Sequence, residues 1–315
     1  MRSPQQAPSS HRMQWSDLPT TVNARIAADF GAHIQHIHTP PGGFGHQLAA
    51  ALTLHDGQRL FVKAAPRDDR LTRDNLREAA ILASLPAEAP AADLLGILHI
   101  EDWTLIIISH LSGTHPAFHP GSPAVDEVLE RLSRLTATTA PQRYRQAIAT
   151  PTATTALHLH GWASLNTQRP DDLDTWAADH LAHLVALESA WLAQAHGDYI
   201  VHADLRADNM IDDPQQGIVF VDWTHASLGP AFADAASLAP QWVMAGHCPQ
   251  AVADLLARHP LTCHDRQGVD SFLAALTGHW ERNSRYPSPP RAPGLRTYQR
   301  RAAAAGRALL AARLS

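Results

Sequence analysis

The stretch from Tyr199 to Ala226 constrains this chain most. Two short apolar runs, Asn209-Met210-Ile211 and Gly217-Ile218-Val219-Phe220-Val221, flank a break at Pro214-Gln215-Gln216. That pattern predicts a β-hairpin whose strands carry polar residues at one end. His202-x-Asp204-x-x-x-x-Asn209 precedes the first strand, and Asp222 directly follows the second. Asp204, Asn209 and Asp222 can therefore converge at the mouth of the hairpin. A carboxylate base beside an Asn and an Asp, both hard-oxygen ligands, is the set that phosphoryl transfer with Mg²⁺ requires.

The rest of the chain has room for a fold around this hairpin. At 315 residues it can bury a substantial core as one bilobal domain or two domains. Apolar residues make up 45% and charged residues 17%, as in a globular protein, and no apolar run has transmembrane length. Leu105-Ile106-Ile107-Ile108 is a short buried strand at most. Met1 to Gln6 has no apolar core of a secretory signal. Cys248 and Cys263 lack a CxxC neighbour and read as reduced thiols of a cytoplasmic protein, a bridge between them being the lesser alternative. The 21 histidines include no HExxH and no Cys/His zinc spacing, so His33, His36, His38, His158 and His160 read as surface or strand residues.

Charge is unevenly placed. Residues 170–235 hold twelve Asp or Glu and one basic residue, Arg206, whereas residues 281–315 hold eight Arg and one acid, Glu281. Two readings are open: a solvated acidic face followed by a basic surface helix, or an acidic pocket for Mg²⁺ and a cationic substrate. Basic runs with interleaved aromatics are absent, which argues against a nucleic-acid partner. Lys63 is the only lysine; every other formally basic residue is Arg. A lysine kept against that background suggests a need for a compact ammonium.

In chain order, Ile34–His38, Gln47–Leu54 and Arg59–Ala64 read as strands, with an Asp56-Gly57 turn between the last two. Gly42-Gly43-Phe44-Gly45 lies between the first two strands. Its backbone N–H groups can approach phosphate oxygens, and a plain hairpin turn explains the run as well. Asp74 to Leu85 predicts a helix stopped by Pro86 and carrying Glu78, a carboxylate able to pair with Lys63 or simply to face solvent. Leu94–Ile100 and Trp103–Ser109 predict a strand pair, and His110 to Gly113 a hinge. Residues 123–137 read as a helix. Residues 138–170, rich in Thr, Pro and Gln, read as a variable substrate-side segment. Asp171 to Ala195 predicts one long helix with an apolar stripe. Trp162 and Trp176 suit either core or a substrate wall, core being the simpler reading. After the hairpin, helices are expected from Ala231 and over 249–258, 267–282 and 295–314. Strands first, then helices around one hairpin, imply an α+β bilobal fold: a tail over 1–13, a small lobe over 14–110, and a larger helical lobe over 111–315.

Lys63, Glu78, His202 to Asn209 and Asp222-Trp223 occur in the order of the protein-kinase-like signature set. In detail they resemble the aminoglycoside phosphotransferase family. Val201 to Asn209 is similar to its His-Gly-Asp-x-x-x-x-Asn loop, Val219 to Trp223 to its Ile-Asp-Trp/Phe segment, and Gly229-Pro230 to Asp234 to the stretch that follows. Ala203 stands where that family commonly has Gly, and the loop is expected to tolerate the methyl group. No long activation loop or Ala-Pro-Glu motif follows Asp222, which argues against a loop-regulated protein kinase.

The resemblance implies a protein-kinase-like fold with an antiparallel sheet and one helix in its small lobe. It implies Lys63, held by Glu78, on the nucleotide phosphates, with Gly43 and Gly45 in the phosphate loop. The backbone near Ser109 and Leu111 would meet the base of ATP or GTP. Asn209 and Asp222 would bind Mg²⁺, and Asp204 would accept the proton of a substrate hydroxyl, with Arg206 beside it. His202 is expected to fix the loop. The acceptor would be a hydroxyl of an aminoglycoside-like antibiotic or another metabolite, cationic or not, in a monomer or homodimer with no membrane partner. A nucleotide-binding pseudokinase, a biosynthetic kinase and a His-rich metal hydrolase are the alternatives.

Overall fold

The computed structural model describes residues 13–40, 48–148, 159–290 and 292–315. The glycine run with Gly43 and Gly45, residues 1–12 of the expected tail and residues 149–158 of the expected substrate-side segment lie outside the described residues. The chain divides into two units, one running to Ala83 and including Ala91–Ser112, the other Ser84–Pro90 with Gly113–Ser315.

The first unit is a sheet with helices. Helix α1 (Thr21–Phe30) is followed by strands β1 (Ile34–His38), β2 (Leu48–Leu54) and β3 (Arg59–Pro66), helix α2 (Arg70–Ser84), and strands β4 (Leu94–Ile100) and β5 (Trp103–Ser109). The strands form one antiparallel sheet in the order β1-β2-β3-β5-β4. All five expected strands match within two residues, and β3 continues three residues past Lys63. Lys63 therefore sits inside the strand, paired with Ala49 on one side and Ile106 on the other. Strands β2, β3 and β5 are buried along most of their length because they are central in the sheet. Val22 and Ile26 of α1 join Leu52, Leu60, Val62, Leu105 and Ile107 in one apolar core, against which Met13 and Trp15 also pack.

The second unit is mainly helical. Helices α3 (Ala124–Leu135), α4 (Gln142–Ile148), α5 (Gly161–Thr167), α6 (Thr175–Asp179) and α7 (Leu181–Gln194) precede strands β6 (Tyr199–Val201), β7 (Met210–Asp213), β8 (Gly217–Phe220) and β9 (Ser227–Gly229). Helices α8 (Ala233–Met244), α9 (Pro249–Arg258), α10 (Pro260–Cys263), α11 (Arg266–Asn283) and α12 (Leu295–Leu314) complete it. The mixed α+β class with an antiparallel N-terminal sheet and a helical C-terminal part is as expected from the sequence.

Helix α11 is central and packs against α5, α7, α8 and α12. It crosses α5 closely: a Cβ on Gly161 would lie 1.8 Å from the backbone of Gly278. Glu188 of α7 accepts the N–H groups of Trp162 (2.9 Å) and Ala163 (2.8 Å), satisfying the first turn of α5. Trp162 is fully buried and donates its indole N–H to Ala274 O, so it is core.

The expected long helix over 171–195 is two helices. The N–H of His180 donates to Trp176 O at 3.0 Å, its ring Nδ1 lies 2.8 Å from the same oxygen, and its ring stacks on Trp176. That local bonding closes α6, and α7 restarts at Leu181. The apolar stripe survives the break, with Leu173, Ala177, Leu181, Leu184 and Trp191 buried.

Part of the charge asymmetry resolves into internal ion pairs. Arg285 binds Asp172 (2.5 Å) and Glu281 (2.8 Å), Arg307 binds Asp174 (3.5 Å) and Glu281, and Arg313 binds Asp270 at 2.5 Å. Cys248 and Cys263 are free thiols. Among the described residues no helix is long and apolar enough to cross a membrane.

Candidate active site

The first unit, by itself, holds a buried ion pair. Lys63 Nζ donates to Glu78 Oε2 at 2.6 Å, with Glu78 1% exposed. Central strand β3 fixes the lysine and α2 the glutamate. Of the expected base-contacting residues, Ser109 spends its hydroxyl on the sheet: Asp93 N–H donates to its Oγ (2.9 Å), while Ser109 N–H donates to Asp93 O. Leu111 is half-buried just beyond β5.

The second unit holds the hairpin. Strands β7 and β8 pair antiparallel from Met210↔Phe220 to Asp213↔Gly217. Strands β6 and β9 pair as well, over only three residues each, too short for any periodicity in the sequence to reveal. Together they bracket the loop from His202 to Asn209. Val221 N–H donates to Asn209 O at 2.9 Å, so residue 222 emerges beside Asn209.

His202 is completely buried. Its Nε2 lies 3.0 Å from Val221 O, which makes Nε2 the protonated nitrogen, and its ring packs against Trp223. Burial pulls its pKa down to about 4, so it is neutral near pH 7. This is the geometry of a loop-fixing residue. Ala203 adopts a left-handed backbone, φ +64°, which accounts for the glycine usual at this position in the family it resembles. Asp234, in the first turn of α8, accepts the backbone N–H groups of His202 (2.7 Å) and Ala203 (3.0 Å). Asp234 was not among the site residues expected from the sequence; its only signal was its place at the end of the Gly229-to-Asp234 stretch. Burial pushes its pKa up to about 6.

Asp204 is gripped from two sides. Arg206 Nη1 donates to its Oδ1 at 2.7 Å, and Asn209 Nδ2 donates to its Oδ2 at 3.1 Å and to its carbonyl oxygen at 2.8 Å. Burial raises the Asp204 pKa, while the charges of Arg206 and His225 oppose that rise. Arg206 is itself bracketed, donating also to Asp208 at 2.9 and 3.1 Å. With the Asn209 amide nitrogen spent on Asp204, its carbonyl oxygen is the group left for a cation. Asp222, at φ +64°, has Oδ1 accepting from the Thr224 hydroxyl at 3.1 Å. An amide oxygen and a carboxylate on adjoining backbone suit a hard cation that completes its shell with phosphate and water oxygens. No cluster of three or more His, Cys, Asp or Glu able to hold a metal occurs among the described residues.

A cavity of about 440 Å³ opens beside this loop. Ala203, Asp204, Leu205 and Arg206 form one side, and residues of α7, α8, α11 and α12 form the others. A volume of that order accepts a drug-sized molecule.

Comparison with known proteins bears on the family and the fold. No curated protein sequence matches the chain. Among solved structures, an aminoglycoside phosphotransferase from Alicyclobacillus acidocaldarius superposes with a TM-score of 0.58 at 18% identity, covering 98% of this chain and 96% of that one. A thermostable mutant of aminoglycoside phosphotransferase APH(4)-Ia, solved with AMP-PNP and hygromycin B, superposes at 0.53 and 14% identity over 94% and 98%. Choline kinase LicA from Streptococcus pneumoniae does so at 0.55 and 14% over 90% and 98%. At these identities the likeness speaks to the fold. The sequence model of the phosphotransferase enzyme family (APH) matches residues 36–268, most of the chain. The chain belongs to that family and is a phosphotransferase of kinase-like fold.

Proposed function

We propose that this protein transfers the γ-phosphoryl group of ATP or GTP to a hydroxyl of a small molecule, with Asp204 as the base. The observation that carries this reading is the Asp204 carboxylate on the wall of the cavity, oriented by both Arg206 and Asn209. The acceptor oxygen forms a bond to the γ-phosphorus as the bond to the bridging oxygen of the nucleoside diphosphate breaks, and the hydroxyl proton passes to Asp204. The transition state is loose, so positioning and charge neutralisation supply most of the acceleration.

Lys63, held by Glu78, is assigned to the nucleotide phosphates, and the backbone around Ser109 and Leu111 to the base. Asn209 and Asp222 would hold Mg²⁺, which supplies neutralisation of phosphate charge. Arg206 keeps Asp204 ionised against the cost of burial, and His202 and Asp234 keep the loop in shape. A coupled assay of nucleotide consumption with MgATP and MgGTP, run over antibiotics, amino alcohols and sugars with mass spectrometry of products, tests the reading. The expected product gains one phosphoryl group, and Asp204→Ala abolishes its formation. Full Mg-dependent turnover by Asp204→Ala would remove Asp204 from the role. Nucleotide binding with no turnover across the panel would favour the pseudokinase alternative.

A further inference from the structure

The cavity beside Asp204 is poor in available negative charge, although it lies in the most acidic part of the chain. Of the twelve acids over 170–235, two line it, Asp204 and Asp234. Asp204 is paired with Arg206, which lines the same wall, and Asp234 is 3% exposed and turned onto two backbone N–H groups. The other acids are engaged elsewhere or lie outside the wall. Asp172, Asp174 and Asp198 pair with Arg285, Arg307 and Arg145. Glu188 satisfies the first turn of α5, Asp213 accepts the N–H groups of the hairpin turn, Asp208 is held by Arg206, Asp222 accepts from the Thr224 hydroxyl, and Asp171, Asp179 and Asp212 are exposed and do not line the cavity. Residues 131–170 contain no acid at all.

Much of the remaining wall is apolar and aromatic, with His225 and His279 among its polar members. Trp191 and Phe272 meet at 4.7 Å between ring centroids, Trp280 and Tyr298 meet edge-on at 6.4 Å, and Leu159 and Leu276 fill between elements. Several polar groups on the wall are already engaged. Gln241 donates to Leu205 O, the Ser237 hydroxyl to Asp234 O, and Gln299 accepts from Arg296. The buried indole N–H of Trp191 has no hydrogen-bond partner. Such a wall rewards burial of flat apolar surface and one well-placed acceptor. A polycation would have to shed water against it for carboxylates, Asp204 and Asp208, that Arg206 already holds.

From this wall we infer that the acceptor is an uncharged alcohol built on an apolar ring system, and not a polyamino sugar. The inference rests on the phosphotransfer reading and narrows its substrate. Aromatic walls also attract quaternary ammonium groups. Here the cavity is large for a compact ammonium, and a guanidinium already lines it.

The test is calorimetric titration of the full-length protein without nucleotide, at low and high salt, with 2-naphthaleneethanol, tobramycin and choline. The aryl alcohol is expected to bind at least about tenfold more tightly than either cation, with little dependence on salt. Leu276 is half-buried on the wall, and Leu276→Glu is expected to weaken the aryl alcohol about tenfold and strengthen tobramycin. If that variant does not fold, Leu276→Ala is expected to weaken the aryl alcohol about fivefold. Tighter binding of tobramycin or choline, steep salt dependence, or no binding of the aryl alcohol overturns the inference. Incubation with MgATP separates the two readings. An aryl alcohol that binds as expected and is never phosphorylated counts against phosphotransfer and leaves the cavity's preference standing. A polyamino sugar phosphorylated efficiently does the reverse.

Discussion

Asp234 reaches from the first turn of α8 to the backbone N–H of Ala203, 3.0 Å away, and holds in place a residue whose φ of +64° suits glycine. Its other oxygen takes the N–H of His202 at 2.7 Å. One buried carboxylate therefore shapes the turn that presents Asp204.

Ala203→Gly is expected to stabilise the protein by about 1 kcal/mol, because a Cβ in the left-handed region costs roughly that much and glycine removes it. Urea midpoints report the change. Ala203→Val, with a branched Cβ, is expected to destabilise by more than the glycine variant gains. No gain from glycine would mean the loop carries no strain at this residue.

His202 and Asp234 should oppose each other in the pH dependence of stability. His202 titrates at about 4 when folded, below its ordinary 6.5, so its contribution is complete above pH 6.5 and is lost as pH falls toward 4. Asp234 titrates at about 6, above its ordinary 3.8, so its contribution is complete below pH 3.8 and is lost as pH rises through 6. Each is worth on the order of 3 kcal/mol. Relative to wild type, His202→Gln should become less stable as pH rises from 4 to 6, and Asp234→Asn more stable. Denaturant unfolding at several pH values measures both differences; slopes of the same sign would contradict the assignment.

Arg206 lowers the Asp204 pKa against the effect of burial. Arg206→Ala is expected to shift the acid limb of kcat/KM to higher pH, since an ionised base then requires higher pH. Arg206→Lys should restore part of the shift. A purely structural Arg206 would lower activity equally at every pH.

Lys63 and Glu78 form a buried pair, so Lys63→Met alone is expected to cost about 3–5 kcal/mol by leaving the Glu78 carboxylate without its ammonium. Lys63→Met with Glu78→Leu should recover most of that stability and none of the activity. Thermal unfolding and turnover of the three proteins separate the two roles. Activity in the double variant would remove Lys63 from catalysis.

Much of this was legible in the chain itself. Strands β3, β4 and β5, helices α9 and α12, and the β7–β8 hairpin follow local pattern closely. One hairpin register, with the Val221–Asn209 hydrogen bond, brings Asp222 beside Asn209, and the Asn209 amide in turn holds Asp204. The break at His180 was not legible, because an apolar stripe continues through it and the interruption comes from the bonding of one ring to Trp176.

The sequence by itself determined the hairpin and the order of the candidate residues, since each depends on neighbours a few positions away. Tertiary structure alone decided that Asp234 holds the loop, that Arg285 and Arg307 bind Asp172 and Asp174, and that the cavity wall comes from α7, α8, α11 and α12. Those groups are separated by tens of residues. Their meeting depends on how the helices pack around α11, and no local pattern records it. The stretch from Tyr199 to Ala226 thus specifies where a phosphoryl group could be handled, while the packing around it selects what could receive one.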